Sequence, residues 1–278
     1  MSIHRFHQLD VFTAVPLLGN PLAVVHGADG LSEAQMAAFA RWTNLSETTF
    51  LMAPKAATAD YRVRIFTPGG ELPFAGHPTL GSCHAWLAAG AQPQHAGEVI
   101  QECGVGLVRV RRDGTRLQFA APPCKRESLA PGMLQQVCAA LGMAAHHVQA
   151  SSWLDNGPRW LGLLVDDAQM LRALTPDHAA LRSLAKVGLI APQSSVAETQ
   201  FEVRAFAAPL GVNEDPVTGS LNASLAQWLM DTGAAPAAYT AAQGTAMGRA
   251  GRVHLQLSAG TLWVGGDVAA CIEGTVNL

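Results

Sequence analysis

The sequence predicts an α+β protein made of two similar halves, with strands outnumbering helices. Three observations carry that expectation. Runs rich in Val, Ile, Phe and Thr, bounded by Gly, Pro and Asn, recur along the whole chain, whereas helical periodicity appears in only a few places. A motif also repeats: Arg64-x-Phe66 leads to His77-Pro78-x-x-Gly81-Ser82, and Arg204-x-Phe206 leads to Asp215-Pro216-x-x-Gly219-Ser220. The two copies are offset by 138 positions (77 to 215), close to half of the 278 residues. Finally, 49% apolar residues in a chain of this length suffice for two cores.

In chain order, strand-like runs at 4–13 and 20–26 precede a helix at 32–43, which opens with the capping box Ser32-x-x-Gln35, buries Met36, Phe39 and Ala40, and ends at Asn44. Strands at 47–53 and 60–66 lead into the first copy of the repeat and a helix at 79–89, with Leu80, Cys83 and Leu87 on one stripe and Gly90 as its stop. Strands at 98–112 and 115–121 close the first half. A boundary falls near 121–131, where Ala121-Pro122-Pro123 and Pro131-Gly132 interrupt the pattern. The second half runs through a helix at 131–141, strands at 148–153 and 159–165, a short helix at 177–185 with Pro176 read as its first residue, and strands at 187–191 and 200–206. A helix at 220–231, stacking Leu221, Leu225, Trp228 and Leu229, follows the second copy, and strands at 251–257 and 261–276 complete the chain.

Composition excludes several classes of function. Eighteen basic and 21 acidic residues give a net charge of -3 without a run of either sign, so nothing solicits nucleic acid or an anionic membrane. The five cysteines show no CxxC spacing, which points to a reduced, cytoplasmic protein. MSIHRFHQLDVF lacks the form of a signal peptide, and no apolar run approaches the roughly 18 residues of a membrane span. His4 and His7 fall on opposite strand faces and His146-His147 has no nearby third ligand, so no metal is expected; Gly104-Val105-Gly106 lies between strands, so no nucleotide is either.

The repeated loops offer the chemistry. Each ends at a helix start, where backbone N–H groups are unpaired and the dipole is positive, so each is a candidate anion site, and Gly76, Gly81 and Gly219 permit close approach to the backbone. Two such helix starts facing each other would hold a carboxylate. His77 and Asp215 occupy corresponding loops and can exchange protons; taken singly, each also reads as an ordinary hydrogen-bonded histidine or a turn-forming aspartate. Glu47 heads the apolar run Thr49–Met52, where partial desolvation raises a carboxyl toward the range useful for acid/base work, although an exposed strand-end carboxylate gives the same pattern. Ser46 and Ser220 lack a GxSxG elbow, and Ser220 reads as a helix-start donor.

Asn44-Leu45-Ser46-Glu47-Thr48, the run from Phe66 to Thr79 through Pro68-Gly69-Gly70-Glu71 and Ala75-Gly76-His77-Pro78, and Glu214-Asp215-Pro216-Val217-Thr218-Gly219-Ser220 together resemble the phenazine-biosynthesis isomerase family. The likeness extends from Val11-Phe12-Thr13 and Gly19-Asn20-Pro21 to Gly265-Gly266. It implies a diaminopimelate epimerase-like fold, each half a curved, mostly antiparallel sheet or barrel around a central helix, with the halves at 1–121 (plus a last strand at about 267–278) and 122–266. It further implies an active site between the halves and a homodimer. Glu47 is then the general acid/base acting on a small cyclic, unsaturated carboxylic acid, assisted by His77, Asp215 and Ser220, without metal or organic cofactor. Ser46, Gly76, Pro78, Thr218 and Gly219 are implied to hold the substrate. Two departures stand out: the related racemases use opposed cysteines that these loops lack, and Leu221-Asn222 stands where many members carry Ala-His. A racemase or epimerase using carboxylate and imidazole groups, or a binder of carboxylate metabolites without catalysis, are the alternatives.

Overall fold

Alternation of buried and exposed side chains explains the first strands directly. In β4 (Tyr61–Thr67) Tyr61, Val63 and Ile65 turn inward while Arg62 and Arg64 face outward. The computed structural model describes residues 2–278. It divides into two compact units, one comprising the chain through Ala120 together with Gly265–Leu278, the other Ala121–Val264.

The first unit contains β1 (Ile3–Val11), β2 (Asn20–Val25), α1 (Glu33–Thr43), β3 (Glu47–Met52), β4, β5 (Gly70–Leu72), α2 (Gly76–Ala88), β6 (Glu98–Cys103), β7 (Gly106–Asp113), β8 (Arg116–Ala120) and the last strand of the chain, Val268–Asn277. Pairing runs β1–β2 antiparallel, β2–β3 parallel, β3–β4 and β4–β5 antiparallel, β4–β6 parallel, then β6–β7 and β7–β8 antiparallel. The last strand lies antiparallel along β1, and Ser2 and Leu278 exchange backbone hydrogen bonds of 2.6 and 3.0 Å. These strands surround α2, which packs on β1, β2, β3, β6, β8 and the last strand and is buried from Gly76 through Cys83. Gly81 is required there: a Cβ would lie 2.5 Å from Leu22 Cδ2. Helix α1 packs on the other side of the sheet. Its capping box is formed, Ser32 and Gln35 bonding reciprocally, and Phe39 meets Phe50, which meets Phe66 edge-on.

The second unit contains β9 (Lys125–Glu127), α3 (Met133–Leu141), β10 (Val148–Asp155), β11 (Arg159–Val165), α4 (Ala168–Ala173), α5 (His178–Arg182), β12 (Val187–Pro192), β13 (Phe201–Ala207), β14 (Val212–Asp215), α6 (Gly219–Asp231), β15 (Ala238–Gln243), β16 (Gly251–Ser258) and β17 (Thr261–Gly266) up to Val264. Its pairing repeats that of the first unit: β10–β11 antiparallel, β11–β12 parallel, β12–β13 and β13–β14 antiparallel, β13–β15 parallel, β15–β16 antiparallel. Here β9 takes the place along β10 that the last strand, β18, takes along β1. Helix α6 corresponds to α2 and is buried along most of its length. Leu221 at its start fills the space over Gly188, where a Cβ would meet Leu221 Cδ1 at 2.2 Å. The fold is thus α+β, each unit a sheet around one apolar helix.

Several elements differ from the sequence reading. The run 98–112 is two strands, because Gly106 takes a φ of 101° and turns the chain back. The run 261–276 breaks at Asp267 into β17 and β18. Pro176 precedes its helix instead of opening it: Asp177 is the N-cap, its carboxylate accepting from Ala180 N at 3.0 Å. Strands β5, β9, β14 and β15 and helix α4 were not anticipated, four of them being too short to show a period.

Candidate active site

In the first unit the parallel pairing of β2 with β3 sets Leu22 beside Glu47, and Leu22 faces α2 at Gly81. Glu47 is therefore delivered to the start of α2, where its Oε2 lies 3.3 Å from His77 Nε2. His77 is buried in the first turn of that helix, a turn with no side-chain cap at Ala75 and no N–H from Pro78. Asn20, the first residue of β2, places its Nδ2 3.5 Å from His77 Nδ1 and accepts a 3.2 Å hydrogen bond at Oδ1 from Ser46 Oγ. The Glu47 side chain is 15% exposed. Burial pushes its carboxyl up from 4.5 to about 7, against a smaller lowering by hydrogen bonding from Ser46.

A buried hydrogen-bonded chain fixes the first turns of α2. Tyr61 Oη donates to Gln101 Oε1 at 2.9 Å, Gln101 Nε2 donates to Thr79 Oγ1 at 3.0 Å, and Thr79 Oγ1 donates to Ala75 O at 2.9 Å. Ser82 Oγ donates to Thr49 Oγ1 at 3.0 Å, tying α2 to the strand that carries Glu47. Polar groups paired this fully in a low dielectric hold one geometry. The nearby Cys83 is no base at neutral pH, since burial pushes its thiol up to about 12.

In the second unit Asp215 ends β14, and Thr218 Oγ1 donates to its Oδ2 at 2.5 Å. Gln243, a fully buried glutamine closing β15, organises the loop. Its Oε1 accepts from Thr218 N at 3.0 Å and from Asn222 Nδ2 at 2.7 Å, and its Nε2 donates to Asp215 O and Thr218 Oγ1, each at 3.0 Å. Asn156 Nδ2 donates to Ser220 O at 2.9 Å. Helix α6 has no side-chain cap, so the N–H groups of Gly219 and Ser220 point out of its first turn.

Ser46, Glu47, Gly76, His77 and Pro78 thus gather at the start of α2, and Asp215, Thr218, Gly219 and Ser220 at the start of α6. The sequence match between His77 and Asp215 does not carry over to helix position. His77 is the second residue of α2, whereas Asp215 lies four residues ahead of α6, held in a strand by pairing with Ala205. Sequence reasoning missed Asn20, Asn156, Asn222 and Gln243 as site-building residues. Asn20 had a signal in Gly19-Asn20-Pro21; Gln243 had only the oddity of a glutamine ending an apolar strand. Among the described residues no three His, Cys, Asp or Glu side chains gather as a metal site requires, and no helix is long and apolar enough to cross a membrane.

Two units of one topology, each with its polar cluster at the buried start of a central helix, define a duplicated α+β protein with a carboxyl–imidazole contact in the first unit. The chain belongs to the PhzC-PhzF family of phenazine biosynthesis-like proteins, which it matches over residues 9–274. It is 36% identical to antisense-enhancing sequence 1 of Schizosaccharomyces pombe, over 99% of both chains. It is 33% identical to the trans-2,3-dihydro-3-hydroxyanthranilate isomerase of Pseudomonas aeruginosa, over 99% of this chain and 100% of that one. The fold matches the crystal structure of a Bacillus anthracis phenazine biosynthesis protein of the PhzF family with a TM-score of 0.86 at 21% identity, covering 100% of each chain. The family places this chain among isomerases.

Proposed function

We propose that the protein moves a proton along one face of a small unsaturated or cyclic carboxylic acid, with Glu47 as general acid/base and neither metal nor organic cofactor. The observation that carries this reading is the buried Glu47–His77 pair, 3.3 Å apart, with the carboxyl raised to about 7. An acid/base works best when its pKa lies near the working pH, because both protonation states are then populated. Glu47 as carboxylate takes the proton from carbon and, as the acid, returns it to another; His77 stabilises the carboxylate that precedes the first step and follows the second. Asp215 and Ser220 assist, and Ser46, Gly76, Pro78, Thr218 and Gly219 hold the substrate, the free N–H groups of α6 suiting an anionic oxygen. The substrate is of the same class as the dihydro-hydroxyanthranilate for which the Pseudomonas relative is named. Asn222, buried and tied to Gln243 and Thr218, is held against the start of α6. The reading extends to a homodimer acting in the cytoplasm, in keeping with the family resemblance.

Incubation of the protein with trans-2,3-dihydro-3-hydroxyanthranilate and related cyclic acids in D2O should incorporate deuterium at carbon, and Glu47→Gln should lower that rate by about 10² to 10⁴. Full exchange activity in a folded Glu47→Gln protein would refute the assignment.

A further inference from the structure

The duplication identifies the counterpart of Glu47 in the second unit. Thr48 pairs with Phe66 of the first Arg-x-Phe motif, and Val187 pairs with Phe206 of the second. Thr48 also pairs with Ala23 across the parallel strands, as Val187 does with Leu161. Thr48 and Val187 are therefore equivalent, and so are the residues before them, Glu47 and Lys186. The position that holds a buried carboxyl in one unit holds an ammonium in the other.

Lys186 faces α6 as Glu47 faces α2. Two residues on, Gly188 abuts Leu221 of α6, and side chains two apart on a strand share a face. Lys186 Nζ lies 4.9 Å from the centroid of the Trp160 ring. Trp160 shares that face too, since Gly162, two residues beyond it, approaches Trp228 of α6. Among the described residues the ammonium makes neither an ion pair nor a hydrogen bond. The other cation nearby is committed elsewhere: Arg159 pairs with Glu127 and stacks on Trp153. Asp155 accepts from Gly157 N at 3.0 Å. Burial holds the Lys186 ammonium below its usual range, opposed by Asp155, so an anion brought to it regains charge stabilisation.

Trp160, whose ring lies under Lys186, and Asn156, which follows Asp155 in the chain, each have a buried polar atom without a partner. Trp160 is 4% exposed with Nε1 unbonded, and Asn156 is 8% exposed with Oδ1 unbonded. The Asn156 amide is oriented by its donation to Ser220 O, in the first turn of α6. Buried donors and acceptors without partners cost about 1–3 kcal/mol each and mark a place prepared for something else.

We propose that Lys186, with the indole N–H of Trp160 and the first turn of α6, is a seat in the second unit for the carboxylate of a small organic acid. The ammonium supplies the charge, the indole and backbone N–H groups the directional hydrogen bonds, and Asn156 Oδ1 an acceptor for a hydrogen on the group next to the carboxylate. The isomerase reading above supplies the class of ligand, a small carboxylic acid, and the test below is separable from that reading.

Binding of benzoate, anthranilate and the neutral anthranilamide is measured by calorimetry on the native protein, Lys186→Met, Lys186→Arg and Glu47→Gln. Methionine keeps the apolar stem over Trp160 without the charge. The native protein should bind the carboxylates and prefer anthranilate to anthranilamide. Lys186→Met should weaken anthranilate about 10-fold or more while leaving anthranilamide unchanged, and Lys186→Arg should restore part of the loss. Glu47→Gln should retain binding. Equal anthranilate affinity in native protein and a folded Lys186→Met, equal loss of acid and amide, or no carboxylate binding by the native protein would each overturn the proposal. Lys186-dependent binding without any deuterium exchange would instead remove the isomerase reading and leave the anion seat standing.

Discussion

Glu47 should weaken the fold it sits in, and the amount follows from its burial. A carboxyl moved from 4.5 in the unfolded chain to about 7 in the native state binds its proton more tightly when folded. Across the window from about 4.5 to 7 the native state therefore holds more protons than the unfolded state, and stability falls as pH rises. The full loss, at 1.36 kcal/mol per pH unit, is about 3 kcal/mol by pH 8. Glu47→Gln keeps the shape of the protonated acid and cannot ionise. Urea unfolding followed by circular dichroism at intervals from pH 4.5 to 9 should give native and Glu47→Gln proteins of similar stability at the acid end. At pH 8 the variant should be more stable by about 3 kcal/mol, as expected when a functional group is kept at the expense of stability. Parallel profiles for the two proteins, or a variant less stable at high pH, would show that Glu47 is not desolvated and would remove the physical basis for its acid/base role.

The two arginines of the repeat should part company on substitution. Arg204 is buried, bonds Glu214 through Nε and Nη2 at 2.9 and 2.7 Å, and donates to the carbonyls of Leu171, Arg172 and Leu174, so Arg204→Ala should cost about 3–5 kcal/mol in chemical denaturation by leaving Glu214 unpaired. Arg64 pairs with the more exposed Glu33 and Glu71, and Arg64→Ala should cost about 1 kcal/mol or less. Gln243→Ala strips partners from Thr218 N, Asn222 Nδ2 and Asp215 O together; a fall in melting temperature should accompany a drop in isomerase turnover, and an unchanged turnover would detach Gln243 from the site.

Much of the architecture could be read from local pattern because the duplication is carried by residues that recur with fixed spacing. Arg64-x-Phe66 and Arg204-x-Phe206 build the same arrangement, each guanidinium about 5 Å from its phenyl ring, at 5.1 and 4.9 Å. The helix caps at Ser32 and Asn44 were equally local. What escaped was set by distant partners. Gln101 and Gln243 are polar residues in strands, and only the helices packed against them, through Thr79 and Thr218, explain why they are buried. The identity of Glu47 as the partner of His77 depends on Leu22 carrying β3 against α2, a parallel pairing that spacing in sequence does not reveal. Lys186 is one more scattered charge in the sequence, and only strand register makes it the counterpart of Glu47 in the repeat.

The last strand, β18, lies along β1 and belongs to the first unit, while the second unit is one uninterrupted stretch of chain. During synthesis the second unit has all of its strands as soon as Val264 leaves the ribosome. The first unit, although its residues emerge earlier, must wait with β1 uncovered on one side until residues 268–277 arrive. The half that carries Glu47 is begun before the second unit and completed after it, so the Glu47–His77 pair reaches a settled place only once residues 268–277 have emerged.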